Sequence, residues 1–367
     1  MQPVNAARIF HDWATKEGLM LEGPVKPVSS TPAELGLIDP ASEVTKQILH
    51  RRGVLGIIFN EADSEIVVLL KRAKPTKKEL EALPNKIDDV SVNYRQGSPS
   101  PIGGEPPKAH GNPPFMVRHV GGSEYYACGS SISQGNGRDA GTLGCLVRDA
   151  QGVIYGLSNN HVTGGCSHAS KGLPILAPGV LDVMPLILDS LTIGYDDQPL
   201  VISVGAPDNT NPSNNQDAAI FKIADDSRVT SYQGSSYDTP STTMPVQDGL
   251  EVEKVGRTTG HTRGLVIGQF YGGMSVFYDM EIHAFKGRVF FDPIYVVRGM
   301  GNSAFSESGD SGALVTILDN TEQRHAVGIV VGGLMDKKAP GGILTFILPI
   351  DPILNKLGIT LVSGHNV

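Results

Sequence analysis

The sequence of 367 residues predicts a mainly β protein, arranged as a sandwich or as barrels, with a small α/β domain in front and a helix at the C-terminal end. Three observations predict it. The composition has 44 glycines and 25 prolines with only 19% charged residues, which favours short strands joined by turns over long helices. From Phe115 onward the chain is a succession of short β-type runs punctuated by Gly, Asn, Asp and Pro. The length exceeds what one small core organises, so more than one domain is expected.

The elements follow in order. Residues 6–17 carry Ala6, Ile9, Phe10 and Trp13 at helical spacing, and residues 31–37 suggest a second short turn. A helix over about residues 42–51 leads through Gly53 into VLGIIF, a turn at 60–63 and the run EIVVLLK, which together read as a β-hairpin. KKELEALP reads as a helix ended by Pro84, and KIDDVSVNYR as a further strand. Residues 1–97 are thus an expected α/β domain. The Pro- and Gly-rich stretch 98–114 has no apolar periodicity and reads as a linker or extended connector. Residues 115–367 form the expected β domain, with runs such as GTLGCLVRD, GVIYGLSNNHV, DAAIFKI, TRGLVIGQFYG, RVFFDPIYVV, HAVGIVVGG and ILTFILPI; DPILNKLGI supplies the closing helix.

Composition also excludes function classes. A formal charge of −8 from dispersed acids, with no basic stripe, argues against nucleic acid as a partner. The N-terminus lacks the basic start and apolar run of a secretory signal, and no later run has the length of a membrane span, so a soluble, cytoplasmic protein without a membrane partner is expected. Cys128, Cys145 and Cys166 are too few for a disulfide scaffold, and in a reducing compartment free thiols are the default, with a Cys145–Cys166 bridge as the alternative. No Walker motif, Gly-rich dinucleotide fingerprint or calcium loop is present, so no cofactor is expected.

The sharpest chemical signal is FSESGDSGALV. A glycine-bracketed turn ahead of a strand can expose the Ser311 hydroxyl while the N–H groups of Gly309 and Ser311 converge as an oxyanion hole. The bland reading is a surface turn, since these residue types are common there. A lone serine is a poor nucleophile, so the hypothesis requires a histidine base and a carboxylate to orient it. His161, at the end of GVIYGLSNNHV, and Asp217, opening DAAIFKI, are the candidates; alone, each is as well explained as a loop or turn residue. Asp189 is the reserve acid. The chain order His, Asp, Ser, with Ser311 entering a strand, separates this pattern from α/β-hydrolases, which run Ser, Asp, His with the nucleophile entering a helix.

On these residues the chain resembles the chymotrypsin superfamily from about residue 141 to 357, through LSNNHV, QDAAIF and SGDSGALV. Within it the likeness is to an intracellular trypsin-like group of bacteria and plants, the narrow-leaf-like group, which pairs an N-terminal α/β domain with GTLGCLV, LSNNHV and GDSG motifs. The resemblance implies a double β-barrel serine endopeptidase: Ser311 as nucleophile, His161 as base and Asp217 as its orienting acid, acting on a protein or peptide substrate. It further implies a substrate channel along HAVGIVVGG and a pocket near Phe305, Ser306, Val331, Gly332 and Gly333. None of these supplies a buried carboxylate, so cleavage after an uncharged residue is expected, with Glu307 the nearest acid. Asn159 and Asn160 depart from the small residues usual before the base, and the cysteine that usually follows it is absent. In the superfamily the acid at Asp310 can bind a freed N-terminus; here the N-terminus lies more than three hundred residues away.

Two rivals stand beside this reading. Cys145, His161, Cys166 and His168 include zinc-type ligands but lack a paired metal spacing, so no metal is expected. A latent trypsin-like scaffold that binds a peptide or protein partner is the other. On the endopeptidase reading the N-terminal domain is the expected regulatory or homo-oligomerisation module.

Overall fold

Period-two burial along Gly260–Phe270, where every second residue from Gly264 is buried, marks the longest strand of the hairpin that starts the second barrel. In the computed structural model, which describes residues 1–22, 26–38, 43–72, 75–103, 115–137, 139–183, 190–207 and 209–367, this strand has Glu251–Gly256 on one side and Tyr295–Gly299 on the other. The order continues through Ile343–Pro349, Arg324–Met335 and Leu314–Leu318, and Leu314–Leu318 pairs back with Glu251–Gly256. The sheet closes on itself as a six-stranded antiparallel barrel. Its interior is filled by Val252, Val266, Val297, Phe305, Val315 and Ile347.

The first barrel is built the same way from Ser131–Gln134, Pro174–Ala177, Leu191–Pro199, Ala219–Ile223, Ile154–Ser158 and Cys145–Arg148. The run 141–148 does two jobs. Gly141 and Thr142 pair with Ser131–Gln134 while Cys145–Arg148 pairs with Ile154–Ser158, so this one segment joins the two ends of the sheet and closes the first barrel. The core is Ile132, Leu143, Leu146, Ile175 and Phe221. Together the two barrels give a chymotrypsin-like double β-barrel fold. Helix Ile350–Leu357 follows the last barrel strand and buries Ile350, Ile353, Leu354 and Leu357, the stripe expected of one helix face.

In front lies the α/β part. Helix Pro3–Lys16 buries Ala6, Ile9, Phe10 and Trp13, and helix Lys77–Ala82 begins at a capping box in which Thr76 and Glu79 satisfy each other's backbone N–H groups. The hairpin Val54–Asn60 and Glu65–Leu70 forms as expected, and Val90–Gln96 adds to it in parallel. This sheet does not stand apart. Val54–Asn60 pairs with the far end of Gly260–Phe270, with Ile58 opposite Phe270, so it continues the sheet of the second barrel. Leu55, Ile58, Val67 and Leu69 share one apolar cluster with Phe270, Leu334 and Phe346.

Two readings of the sequence are corrected. RVFFDPIYVV is two strands, not one: the chain turns at Asp292–Pro293, where proline has no N–H for a ladder, and Phe285–Phe291 belongs instead to a hairpin with Met274–Met280. The connector is not wholly without pairing. Ser98–Pro99 pairs antiparallel with Arg324–Met335, and Ile102–Gly103 pairs parallel with Met274–Met280; residues 104–114 lie outside the described part. No helix among the described residues is long and apolar enough to cross a membrane.

Candidate active site

His161 sits in a helical turn, Asn160–Gly164, entered from Ile154–Ser158, and Asp217 stands just before Ala219–Ile223, the neighbouring strand. The register brings them together. Asp217 is fully buried; its Oδ1 accepts from the His161 backbone N–H at 3.0 Å and its Oδ2 lies 2.6 Å from His161 Nδ1. A carboxylate can only accept, so the Nδ1 hydrogen is fixed on that side and Nε2 is left as the acceptor. Asn159 and Asn160 have structural work in this turn: Asn159 Nδ2 donates to the Asp217 carbonyl at 2.6 Å, and Asn160 Nδ2 donates to Ser167 Oγ and to the Leu200 carbonyl.

Ser311 faces His161 across a cleft of about 400 Å³ between the barrels. Among the described residues no hydrogen bond joins Ser311 Oγ to His161, whose Nδ1 is engaged by Asp217. The loop before Ser311 is held from behind. Thr258 Oγ1 donates to the Ser308 carbonyl at 2.7 Å and Thr142 Oγ1 to the Gly309 carbonyl at 2.9 Å, while Thr142 N–H donates to the Ser311 carbonyl. In a trans peptide the N–H points opposite the carbonyl, so the inward Ser308 carbonyl turns the Gly309 N–H away from Thr258. Neither the Gly309 nor the Ser311 N–H donates to any described group. Gly309 has φ +101°, and a Cβ there would meet Thr258 Oγ1 at 2.4 Å, so the loop requires glycine.

Asp310 points the other way, into the second barrel, fully buried. It accepts from the N–H groups of Glu307, Thr258 and Thr259, from Thr259 Oγ1, and from Lys254 Nζ at 3.1 Å. Burial alone would raise its carboxyl, but Lys254 and these donors outweigh burial and hold it below the usual carboxylate range. Lys254 is equally buried, and burial pulls its ammonium down against the pull of Asp310.

Of the expected pocket residues, Ser306, Gly332 and Gly333 line the cleft, joined by Val330, Ile343 and Met280. Phe305 and Val331 do not. Phe305 fills the second barrel, and Val331 lies in the apolar cluster because the ladder shifts register between Val330 and Gly332, which turns Val330 toward the cleft instead. Glu307 and Asp139 are the acids in the lining. Asp189 lies outside the described residues.

Reasoning from sequence missed Tyr278. Its hydroxyl, fully buried, donates to Asp217 Oδ2 at 2.8 Å, and its ring packs edge-on to His161 with centroids 5.9 Å apart. No local pattern marks it, since Met274, Val276, Tyr278 and Met280 alternate as the buried face of any strand does. Of the other histidines, His261 pairs with Glu253, His119 with Glu124 and His283 with Gln134, and none of the three lines the cleft. Asp182 forms a buried two-pronged ion pair with Arg257. All three cysteines are free and buried, and burial pushes their thiols up, that of Cys128 to about 12. Among the described residues no three His, Cys, Asp or Glu side chains converge as a metal site would require.

The closure of both barrels and a His–Asp pair facing a serine across the cleft between them define a protein of chymotrypsin-like, serine protease fold. Residues 241–342 match the family model described as the Nal1 C-terminal domain. The chain is also 28% identical over 271 residues to Protein NARROW LEAF 1 of Oryza sativa subsp. japonica, an alignment covering 68% of this chain and 43% of the rice protein, and so resembles the narrow-leaf-like group. The chain therefore spans less than half the length of the curated relative it matches. Solved structures to which it is similar include Thermobifida fusca protease A, 21% identical, with a TM-score of 0.41, over 65% of this chain and 100% of that one. Nocardiopsis protease is 18% identical, also at 0.41, over 64% of this chain and 97% of that one.

Proposed function

We propose that the chain is a serine endopeptidase, cytoplasmic and without cofactor, in which residues 115–367 hydrolyse peptide bonds of a protein or peptide substrate under the regulation of residues 1–97. The observation that carries this is the buried Asp217 oriented on His161 Nδ1, with Nε2 left to the cleft that Ser311 shares. His161 Nε2 takes the Ser311 proton as Oγ attacks the carbonyl carbon, and the unengaged N–H groups of Gly309 and Ser311 donate to the oxyanion. His161 then returns the proton to the leaving amine, and water repeats the sequence on the acyl-enzyme. Tyr278 and Asn159 hold Asp217 in place. The lining of Val330, Ile343 and Ser306 favours cleavage after an uncharged residue.

The test is labelling with a fluorophosphonate, locating the adduct by mass spectrometry. Modification of Ser311 in the unaltered chain, lost in Ser311→Ala and reduced by on the order of 10³-fold or more in His161→Ala, is the expected result. A folded chain that takes no label at Ser311 sinks the reading. In that case the second reading stands, a latent trypsin-like scaffold that binds a peptide; the missing Ser311–His161 hydrogen bond is the observation in its favour.

A further inference from the structure

The strand Arg324–Met335 has Ile343–Pro349 on one edge throughout its second half. Its other edge is held by Leu314–Leu318 as far as Ile329 and by Gly312 and Ala313 at Val330, and then runs on past the cleft without a barrel partner. An open sheet edge beside a nucleophile is where an extended peptide adds as a strand, its backbone groups giving affinity. Here that edge is already taken. Pro99 lies opposite Leu334 and Ser98 opposite Met335, and the Ser100 N–H donates to the Gly333 carbonyl at 2.9 Å. The direction is antiparallel, and Ser100 and Pro101 themselves line the cleft. Ile102–Gly103 then pairs with Met274–Met280, the strand that carries Tyr278 and Met280, so the segment crosses from one wall of the cleft to the other.

We propose that residues 98–103 are a strap that occupies the peptide groove of this chain and must leave it before an extended substrate can add to Arg324–Met335. The proposal rests on the peptidase reading for what the groove does, but not for its being filled. Pro99 and Pro101 suit the role, because an edge strand tolerates missing N–H donors and proline keeps the segment extended before it docks. The strap is shallow: Pro99 and Ser100 are half-buried and Pro101 is exposed. Its root is fixed to the α/β part. Gly97 N–H donates to the Leu70 carbonyl, Gly97 sits against Leu334 too closely to admit a Cβ without displacing it, and Arg95 pairs with the buried Asp336 at 3.4 Å. A movement of Val90–Gln96 would therefore be carried directly to the strap, which gives residues 1–97 a route to the groove.

The experiment uses the full chain with Ser311→Ala and, as probe, the strap's own sequence GSPSPIG as a fluorescein-labelled, end-blocked peptide. Weak or undetectable binding to the parent, tightened tenfold or more by Ser100→Pro, which deletes the donor to Gly333, and by Arg95→Ala, which frees the root, is the expected result. Equal binding to parent and variants overturns the proposal. Because a variant could misfold, hydrogen exchange of the Ser100 amide in the unaltered chain is measured as well: millimolar peptide should speed it at least tenfold, and an unchanged rate also overturns the strap. Fluorophosphonate labelling reads the nucleophile separately. Strap-dependent peptide binding without labelling leaves the strap standing and removes the peptidase; labelling with strap-independent binding does the reverse.

Discussion

Lys254 and Asp310 set the nucleophile loop from below. Removing the lysine leaves a buried carboxylate without its cation, which costs about 3–5 kcal/mol in comparable buried pairs. Lys254→Met is therefore expected to lower the urea midpoint steeply and to abolish labelling of Ser311. The acid limb carries the sign: the Asp310 carboxyl is held below its ordinary value in the folded chain, so its contribution is in full above about pH 4 and is lost as pH falls through the folded value. Urea midpoints between pH 2 and 5 should fall for the unaltered chain and fall less for Asp310→Asn. At this scale His161, Asp217 and Ser311 were legible because glycine bracketing, strand context and chain order coincide. Tyr278 and Lys254 were not, since each acts through a partner distant in sequence and neither stands in a pattern that differs from ordinary core alternation.

Among the elements, the segment 141–148 does more than close the first barrel. Thr142 touches the nucleophile loop at two carbonyls and accepts from the Arg257 N–H at 3.0 Å, so the first barrel braces a loop of the second. Thr142→Val keeps the shape and removes the hydroxyl, leaving the buried Gly309 carbonyl and Arg257 N–H without it; a loss of about 1–3 kcal/mol is expected by chemical denaturation, with labelling of Ser311 slowed about tenfold. A variant that labels at the parent rate would show that the loop holds itself. Helices and most hairpins were legible from apolar spacing and from the turn residues and proline that end them. The hairpin of Met274–Met280 was not, because the apolar Phe277 on the half-buried face breaks the apolar-polar alternation of the sequence, and the paired ends of the connector were not, because two-residue ladders leave no period to read.

For the whole molecule the α/β part and the barrels share a sheet and an apolar cluster. Cutting the chain at residue 97 would uncover the Phe270 end of the barrel and remove Leu55, Ile58, Val67 and Leu69 from that cluster, each worth about 1.5–3 kcal/mol when fully buried. The fragment 98–367 is expected to aggregate on expression, and a single calorimetric transition is expected for the full chain; a soluble, monomeric fragment would show that the parts fold independently. Composition made the two kinds of architecture legible, but not their fusion, since the ladder between Ile58 and Phe270 depends on an edge-to-edge pairing that neither strand's pattern announces.

The cation beneath the nucleophile loop is a lysine of the same barrel. It is in place as soon as the chain folds, and no cut is needed to create it. Maturation by cleavage is a one-way event, made once in the life of a molecule. On the proposed peptidase reading, an organising charge built into the barrel leaves no such event to wait for, and a strand that lifts and settles is a restraint that can be undone and restored many times over.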